Sequence, residues 1–123
     1  MNKQLSLVKA FHKKFRGPIA EAPTTIPQDR IALRYTLMRE EVEEYRVGAE
    51  KGDLENVAKE LADILYAVYG TILEHGLEDK MEAIFEEVHN SQMTKDYAQY
   101  KMVKGKNYKE ANIKKFFEKE AKQ

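Results

Sequence analysis

Six carboxylates stand in two stretches of this sequence at spacings that helices would gather. Glu40, Glu41, Glu43 and Glu44 form one stretch, and Glu60 and Asp63 belong to the next. At ~100° per residue, Glu40, Glu41 and Glu44 share an arc of ~100° that also holds Leu33 and Leu37. An acidic helical run is ordinarily a solvated face braced by ion pairs, here Arg39 with Glu43. The flanking residues argue otherwise. Ile31, Met38, Val42 and Ala49 make a second apolar stripe on roughly the opposite side, so this helix is expected to be sandwiched, with a second subunit as one source of cover. In the next stretch Val57, Ala58, Leu61, Ala62, Ile64, Leu65, Tyr66, Val68, Tyr69, Ile72 and Leu73 cover most of a helix circumference, which predicts a largely buried helix. Glu60 and Asp63 fill its remaining gap, beside Asn56, Ala67 and Gly70. Lys59 is expected to point elsewhere, and no Arg lies on this helix. Two buried like charges one turn apart are costly unless a cation or hydrogen-bond donors compensate them. A metal ion would do so. Oxygen-only ligands favour a hard cation, Mg²⁺ with phosphate groups as co-ligands, and Mn²⁺ is expected to substitute. Zinc is not expected, because Cys is absent and His12, His75 and His89 are scattered.

The elements that must position these groups are legible from punctuation and periodicity. All three prolines, Pro18, Pro23 and Pro27, fall in one short segment, which leaves the remainder free to form long helices. Before that segment, Leu5, Val8, Phe11 and Phe15 predict a first helix that stops at Gly17-Pro18. Pro27 fits the first turn of a second helix, running to about Gly52. Asp53 is the expected N-cap of a third, which ends at His75 with Gly76 as its stop. Met81, Ile84, Phe85 and Val88 mark a fourth over 79–91. From about residue 94 the chain reads as polar and irregular, without β alternation, closing on a short helix-like tail at Ile113, Phe116 and Phe117. The expected fold is therefore all-α: a four- to five-helix bundle whose two long central helices form an antiparallel hairpin.

Composition narrows the classes. A chain of 123 residues suits a single domain, expected here to span 1–123. Lys plus Arg equal Asp plus Glu at 21 each, so no net field argues for a nucleic-acid polymer or a membrane as partner. No apolar run approaches the ~20 residues that span a bilayer, and Met1-Asn2-Lys3-Gln4 leads into an amphipathic segment rather than a signal peptide. A cytoplasmic location is expected. A core of this size is modest, and a homodimer or homotetramer is the expected assembly.

Glu40-Glu41-Val42-Glu43-Glu44, followed after a short hairpin by Glu60-Leu61-Ala62-Asp63, resembles the EExxE…ExxD signature of the MazG-like, all-α NTP pyrophosphatase superfamily. That superfamily includes phosphoribosyl-ATP pyrophosphohydrolases and dimeric dUTPase-like enzymes. The resemblance covers most of the chain: Phe11-His12 with Phe15, the proline segment, Ala62-Asp63-Ile64-Leu65-Tyr66, Val88-His89 with Met93 and Lys95, and Val103-Lys104-Gly105 with Tyr108. It is closest in pattern to the phosphoribosyl-ATP-pyrophosphohydrolase-like subgroup. It implies hydrolysis of a nucleoside triphosphate, NTP or dNTP, to the monophosphate and pyrophosphate, with nucleotide-pool housecleaning as a role. It also implies metal binding by Glu41, Glu44, Glu60 and Asp63, with Glu40 as an auxiliary ligand or water-orienting base.

Chemically, metal ions held by those residues would bind the phosphates and lower the pKa of an attacking water. With so many carboxylates gathered, one is expected to stay poorly ionised until metal enters, which makes Glu40 or Glu41 a candidate base. Phosphate oxygens call for cations, and Lys95, Lys101 and Lys104 are the candidates, with Tyr108 to cover sugar or base. His12 and His89 are further substrate-contact candidates. Simple surface or core placement competes with each of these assignments, and Phe11 and Phe15 read first as core. Two other functions fit the same residues. One is a phosphoribosyl-ATP pyrophosphohydrolase of histidine biosynthesis. The other is a non-catalytic helical interaction module whose acids hold a structural metal.

Overall fold

A computed structural model describes residues 2–118; Met1 and 119–123 lie outside the described residues. The described residues fall into two compact units, one ending at Asp79 and one beginning at Lys80. The first holds α1 (Lys3–Phe15), α2 (Gln28–Glu50) and α3 (Leu54–Glu74). The second holds nearly all of α4 (Glu78–Gln92), two three-residue strands, β1 (Asp96–Ala98) and β2 (Lys101–Val103), and a 3-10 turn at Lys114–Phe116. An all-α bundle is thus the fold. No helix among the described residues is long and apolar enough to cross a membrane.

The helix boundaries follow from the punctuation. Asn2 and Asp53 cap α1 and α3, their side-chain oxygens accepting from the backbone N–H of Leu5 at 2.8 Å and of Asn56 at 3.1 Å. Pro27 occupies the N-cap of α2 rather than its first turn. At the other end of α3, terminal carbonyls also accept from the proline segment. Ala20 N–H donates to the Leu73 carbonyl at 3.0 Å, and Thr24 N–H to that of His75 at 2.9 Å.

The helices α2 and α3 form the antiparallel hairpin expected. Their cross-contacts run in opposite chain order, from Gly48 with Asn56 near the turn to Arg34 with Thr71 and Arg30 with Glu74 at the far end. Two glycines permit this close approach. A Cβ on Gly48 would lie 2.3 Å from Asn56 Nδ2, and one on Gly70 would lie 2.5 Å from Arg34 Nη2 and 3.0 Å from His12 Nε2. α1 packs on α3 through a small core of Leu5, Val8 and Leu73, flanked by Tyr69 and Ile72.

Two expectations are corrected. In this chain α3 is not largely buried: Leu61 and Leu65 are 47% and 51% exposed. The second stripe of α2 is likewise open at Ile31 and Val42. The apolar circumference was read correctly, but one small bundle does not cover it. The second correction is the hairpin at 96–103, where no β alternation was read. Its two-residue turn, Gln99-Tyr100, has φ of 51° and 66° at successive positions. That is the mirror-image turn geometry usually carried by Asn-Gly or Asp-Gly, so the customary signature is missing.

Candidate active site

Glu41 on α2 and Glu60 and Asp63 on α3 converge, each offering one carboxylate oxygen within 4.8 Å of the others. Glu60 is 5% exposed, and Glu41 and Asp63 are partly buried. The Oε2 atoms of Glu41 and Glu60 are buried and make no hydrogen bond among the described residues. Buried acceptors without donors are expensive, and three converging hard oxygens suit a divalent cation, so these residues fit a metal site. The electrostatics agree. Burial, then the charges of Glu44 and Asp63 and the contact with Glu60, push the Glu41 carboxyl up to about 6. Burial and the adjoining Glu44 likewise raise Glu60.

Glu44 adjoins Glu60 from the exposed side of α2. Glu40 is also exposed and lies outside the three-oxygen convergence; it lines a neighbouring depression with Glu43, Glu44, Val47, Asn56 and Glu60. Contrary to the expectation from the sequence, Lys59 does not point elsewhere. Its Nζ reaches Asp63 Oδ2 at 2.7 Å, an ordinary pair one turn along the helix, and the lysine itself stays exposed.

On the other side of the carboxylates lies a cavity of about 210 Å³, lined by Phe11, His12, Arg34, Leu37, Glu41, Asp63, Tyr66 and Ala67. Phe11 and Tyr66 meet edge to face at 5.5 Å between ring centres. His12 is buried, with Nδ1 2.9 Å from the Pro18 carbonyl. A carbonyl only accepts, so Nδ1 carries the proton and Nε2, over Gly70, is an acceptor in the neutral ring. Arg34 was missed in the sequence reading. It precedes Glu41 by seven residues, which places it only ~20° away on the same helical face. Opposite it Ala67 and Gly70 leave room for a long side chain. Its Nε donates to Thr71 Oγ1 at 3.0 Å and its Nη2 to the Ala67 carbonyl at 2.9 Å.

The other candidates lie in the second unit. His89 is exposed on α4, and Lys95 follows in the turn closed by its N–H to the Gln92 carbonyl at 3.1 Å. Lys104 and Tyr108 are brought together, Lys104 Nζ lying 5.2 Å from the Tyr108 ring centre. The Tyr108 hydroxyl is 3.3 Å from Ser91 Oγ.

With this geometry in view, comparison with known families is decisive. Residues 8–92 match the phosphoribosyl-ATP pyrophosphohydrolase family. The chain belongs to that family. It is part of the MazG-like all-α NTP pyrophosphatase superfamily, as the EExxE…ExxD pattern suggested. A search of curated proteins finds no match. Phosphoribosyl-ATP pyrophosphohydrolases are hydrolases of phosphorus acid anhydrides and use a divalent metal. Membership thus supports pyrophosphohydrolase activity on a nucleotide-type substrate. The matched span contains Glu40, Glu41, Glu44, Glu60 and Asp63, and also His12, Arg34 and His89, but ends before Lys95, Lys104 and Tyr108.

Proposed function

We propose that this protein is a magnesium-dependent pyrophosphohydrolase that converts a nucleoside triphosphate, NTP or dNTP, to its monophosphate and pyrophosphate, in nucleotide-pool housecleaning. The observation that carries this reading is the convergence of Glu41, Glu60 and Asp63, with two buried oxygens that have no partner among the described residues. Glu41, Glu44, Glu60 and Asp63 would hold Mg²⁺, or Mn²⁺ in its place. Bound there, the ion neutralises phosphate charge and favours ionisation of water. Glu41 faces both the convergence and the cavity, which makes it better placed than Glu40 to take a proton from the attacking water. Glu40 is left to orient water from the rim. His12 would contact substrate from the cavity wall, and His89, Lys95, Lys104 and Tyr108 are further substrate-contact candidates by residue type. The family's own activity favours a second reading, hydrolysis of phosphoribosyl-ATP in histidine biosynthesis.

The test is product analysis on a panel of NTPs, dNTPs and phosphoribosyl-ATP with Mg²⁺. Monophosphate plus pyrophosphate is expected, with activity lost in excess EDTA and restored by Mg²⁺ or Mn²⁺. Orthophosphate plus diphosphate, or undiminished turnover in EDTA, contradicts the assignment; no turnover on any member favours the interaction module. Turnover confined to phosphoribosyl-ATP selects the second reading. In the same assay Lys104→Ala is expected to raise KM or lower kcat with no loss of stability, and an unchanged profile removes Lys104 from the site.

The exposed apolar faces of α2 and α3 also support a homodimer or homotetramer. Sedimentation at micromolar concentration should give the mass of at least two chains. A stable single-chain mass removes this part of the proposal.

A further inference from the structure

Arg34 is buried, and two of its guanidinium nitrogens are pinned to α3, by Thr71 and by the Ala67 carbonyl. The third, Nη1, has no hydrogen-bond partner among the described residues and is not sealed from solvent. No carboxylate closes an ion pair with Arg34 among the described residues, because Glu74 is taken by Arg30. A guanidinium donor that reaches solvent can exchange its water for an acceptor on a ligand. The cavity that Arg34 lines also has Glu41 and Asp63 in its wall. Seven helical residues separate Arg34 from Glu41, roughly 10 Å along α2. The cavity therefore has carboxylates toward one end of its α2 wall and Arg34 toward the other, and Phe11, His12, Leu37, Tyr66 and Ala67 complete its lining.

A nucleotide has the same polarity, with phosphates at one end and a flat, acceptor-edged ring at the other. Phosphates belong at the carboxylate end, with the residues that would hold a divalent ion. The rings of Phe11 and Tyr66 in the cavity wall suit an uncharged heteroaromatic ring within reach of Arg34. We infer that Arg34 is a specificity-determining residue, whose Nη1 donates to a ring carbonyl oxygen or ring nitrogen of the substrate base lying against Phe11 and Tyr66. This assignment rests on the nucleotide reading of the site and deepens it.

Calorimetry on the full chain with Mg²⁺ tests it without requiring turnover. The probes are the 5′-monophosphates of adenosine, guanosine, cytidine and uridine, and inorganic tripolyphosphate. A donor from a charged group is worth about ten- to a hundredfold in affinity. Arg34→Met should weaken the best-bound monophosphate by about that factor and narrow the spread among bases, leaving tripolyphosphate within about twofold. An analogue of the best base with its acceptor atom replaced by C–H should bind wild-type protein correspondingly less well, and the variant no less well than the parent ligand. Equal weakening of tripolyphosphate would make Arg34 a phosphate clamp and overturn the inference. Unchanged affinities, or no penalty for any acceptor deletion in the wild type, would make it only a strut between α2 and α3. Arg34→Lys, which keeps the charge and one anchor, carries the same test if Arg34→Met does not fold. Base-selective binding without hydrolysis would sink the proposed reaction and leave this inference standing.

Discussion

Replacing Glu60 by Gln, or Asp63 by Asn, is expected to lower turnover by at least about a hundredfold while leaving helical content intact. Loss of a group that merely orients a ligand typically costs ~10–100-fold, and these two residues are proposed as ligands themselves. Without metal the same variants should be no less stable than the parent, and Glu60→Gln more stable, because it removes a buried like charge beside Glu41 and Glu44. The pH dependence has a definite sign. The folded protein holds the Glu41 proton up to about 6, above the ordinary 4.5, so it binds that proton more tightly than the unfolded chain does. The corresponding stability is fully present below about 4.5 and is lost as pH rises through about 6. Burial and Glu44 raise the Glu60 carboxyl in the same direction, so the metal-free parent also loses the stability of that proton as pH rises, and the advantage of Glu60→Gln over it should grow. Circular dichroism melts in EDTA at both ends of the interval measure this, and steady-state assays measure the turnover. Wild-type rates in both variants would remove Glu60 and Asp63 from the proposed site.

Leu73→Ala should have the largest effect on stability. Leu73 is 0% exposed and joins Leu5 and Val8 in the core between α1 and α3. Large-to-small changes at such positions cost ~2–5 kcal/mol, a substantial fraction of the ~5–15 kcal/mol of an ordinary domain. With so few residues in the core, little neighbouring side chain is available to fill the space. A fall in Tm on the order of 10 °C is expected. Leu65→Ala on the open face should do little to an isolated chain and much more to an assembly that covers it. A neutral Leu73→Ala would mean that the α1–α3 packing contributes little to stability.

Features that a residue sets through its own backbone or its own helix face are legible in the sequence. Asp53 as a cap, the Gly17-Pro18 stop, and the gap on α3 that holds Asn56, Glu60, Asp63, Ala67 and Gly70 follow from local sterics and from a fixed angle per residue. Periodicity gathers Glu40, Glu41 and Glu44 on one arc and Glu60 and Asp63 in one gap, and it is the resemblance to the family signature that joins Glu41 to Glu60 and Asp63. What was not legible depended on packing partners. Lys59 was expected to point away because it sits off the carboxylate stripe, yet a flexible four-carbon stem spans that offset to Asp63. Nothing local marks Arg34 out from the other arginines of its helix; its significance comes from Thr71, Ala67 and Gly70, more than 30 positions away. The Gln99-Tyr100 turn escaped because its left-handed geometry is carried by residues that seldom adopt it.

The two glycine notches between α2 and α3 act as register keys. One is cut in each helix, Gly48 in α2 and Gly70 in α3, and each admits a side chain of the opposite helix. Sliding one helix by a single turn, about 5.4 Å, would bring a side chain against each notch occupant in place of open backbone. The spread of the three carboxylate oxygens is 4.8 Å, less than that one-turn displacement. A slipped hairpin could therefore keep its apolar contacts in roughly equivalent form and still lose the convergence of Glu41 with Glu60 and Asp63. Hydrophobic periodicity alone tolerates such a slip, since it repeats with nearly the same interval. The notches do not tolerate it, and so two residues without side chains fix the alignment on which the charged ones depend.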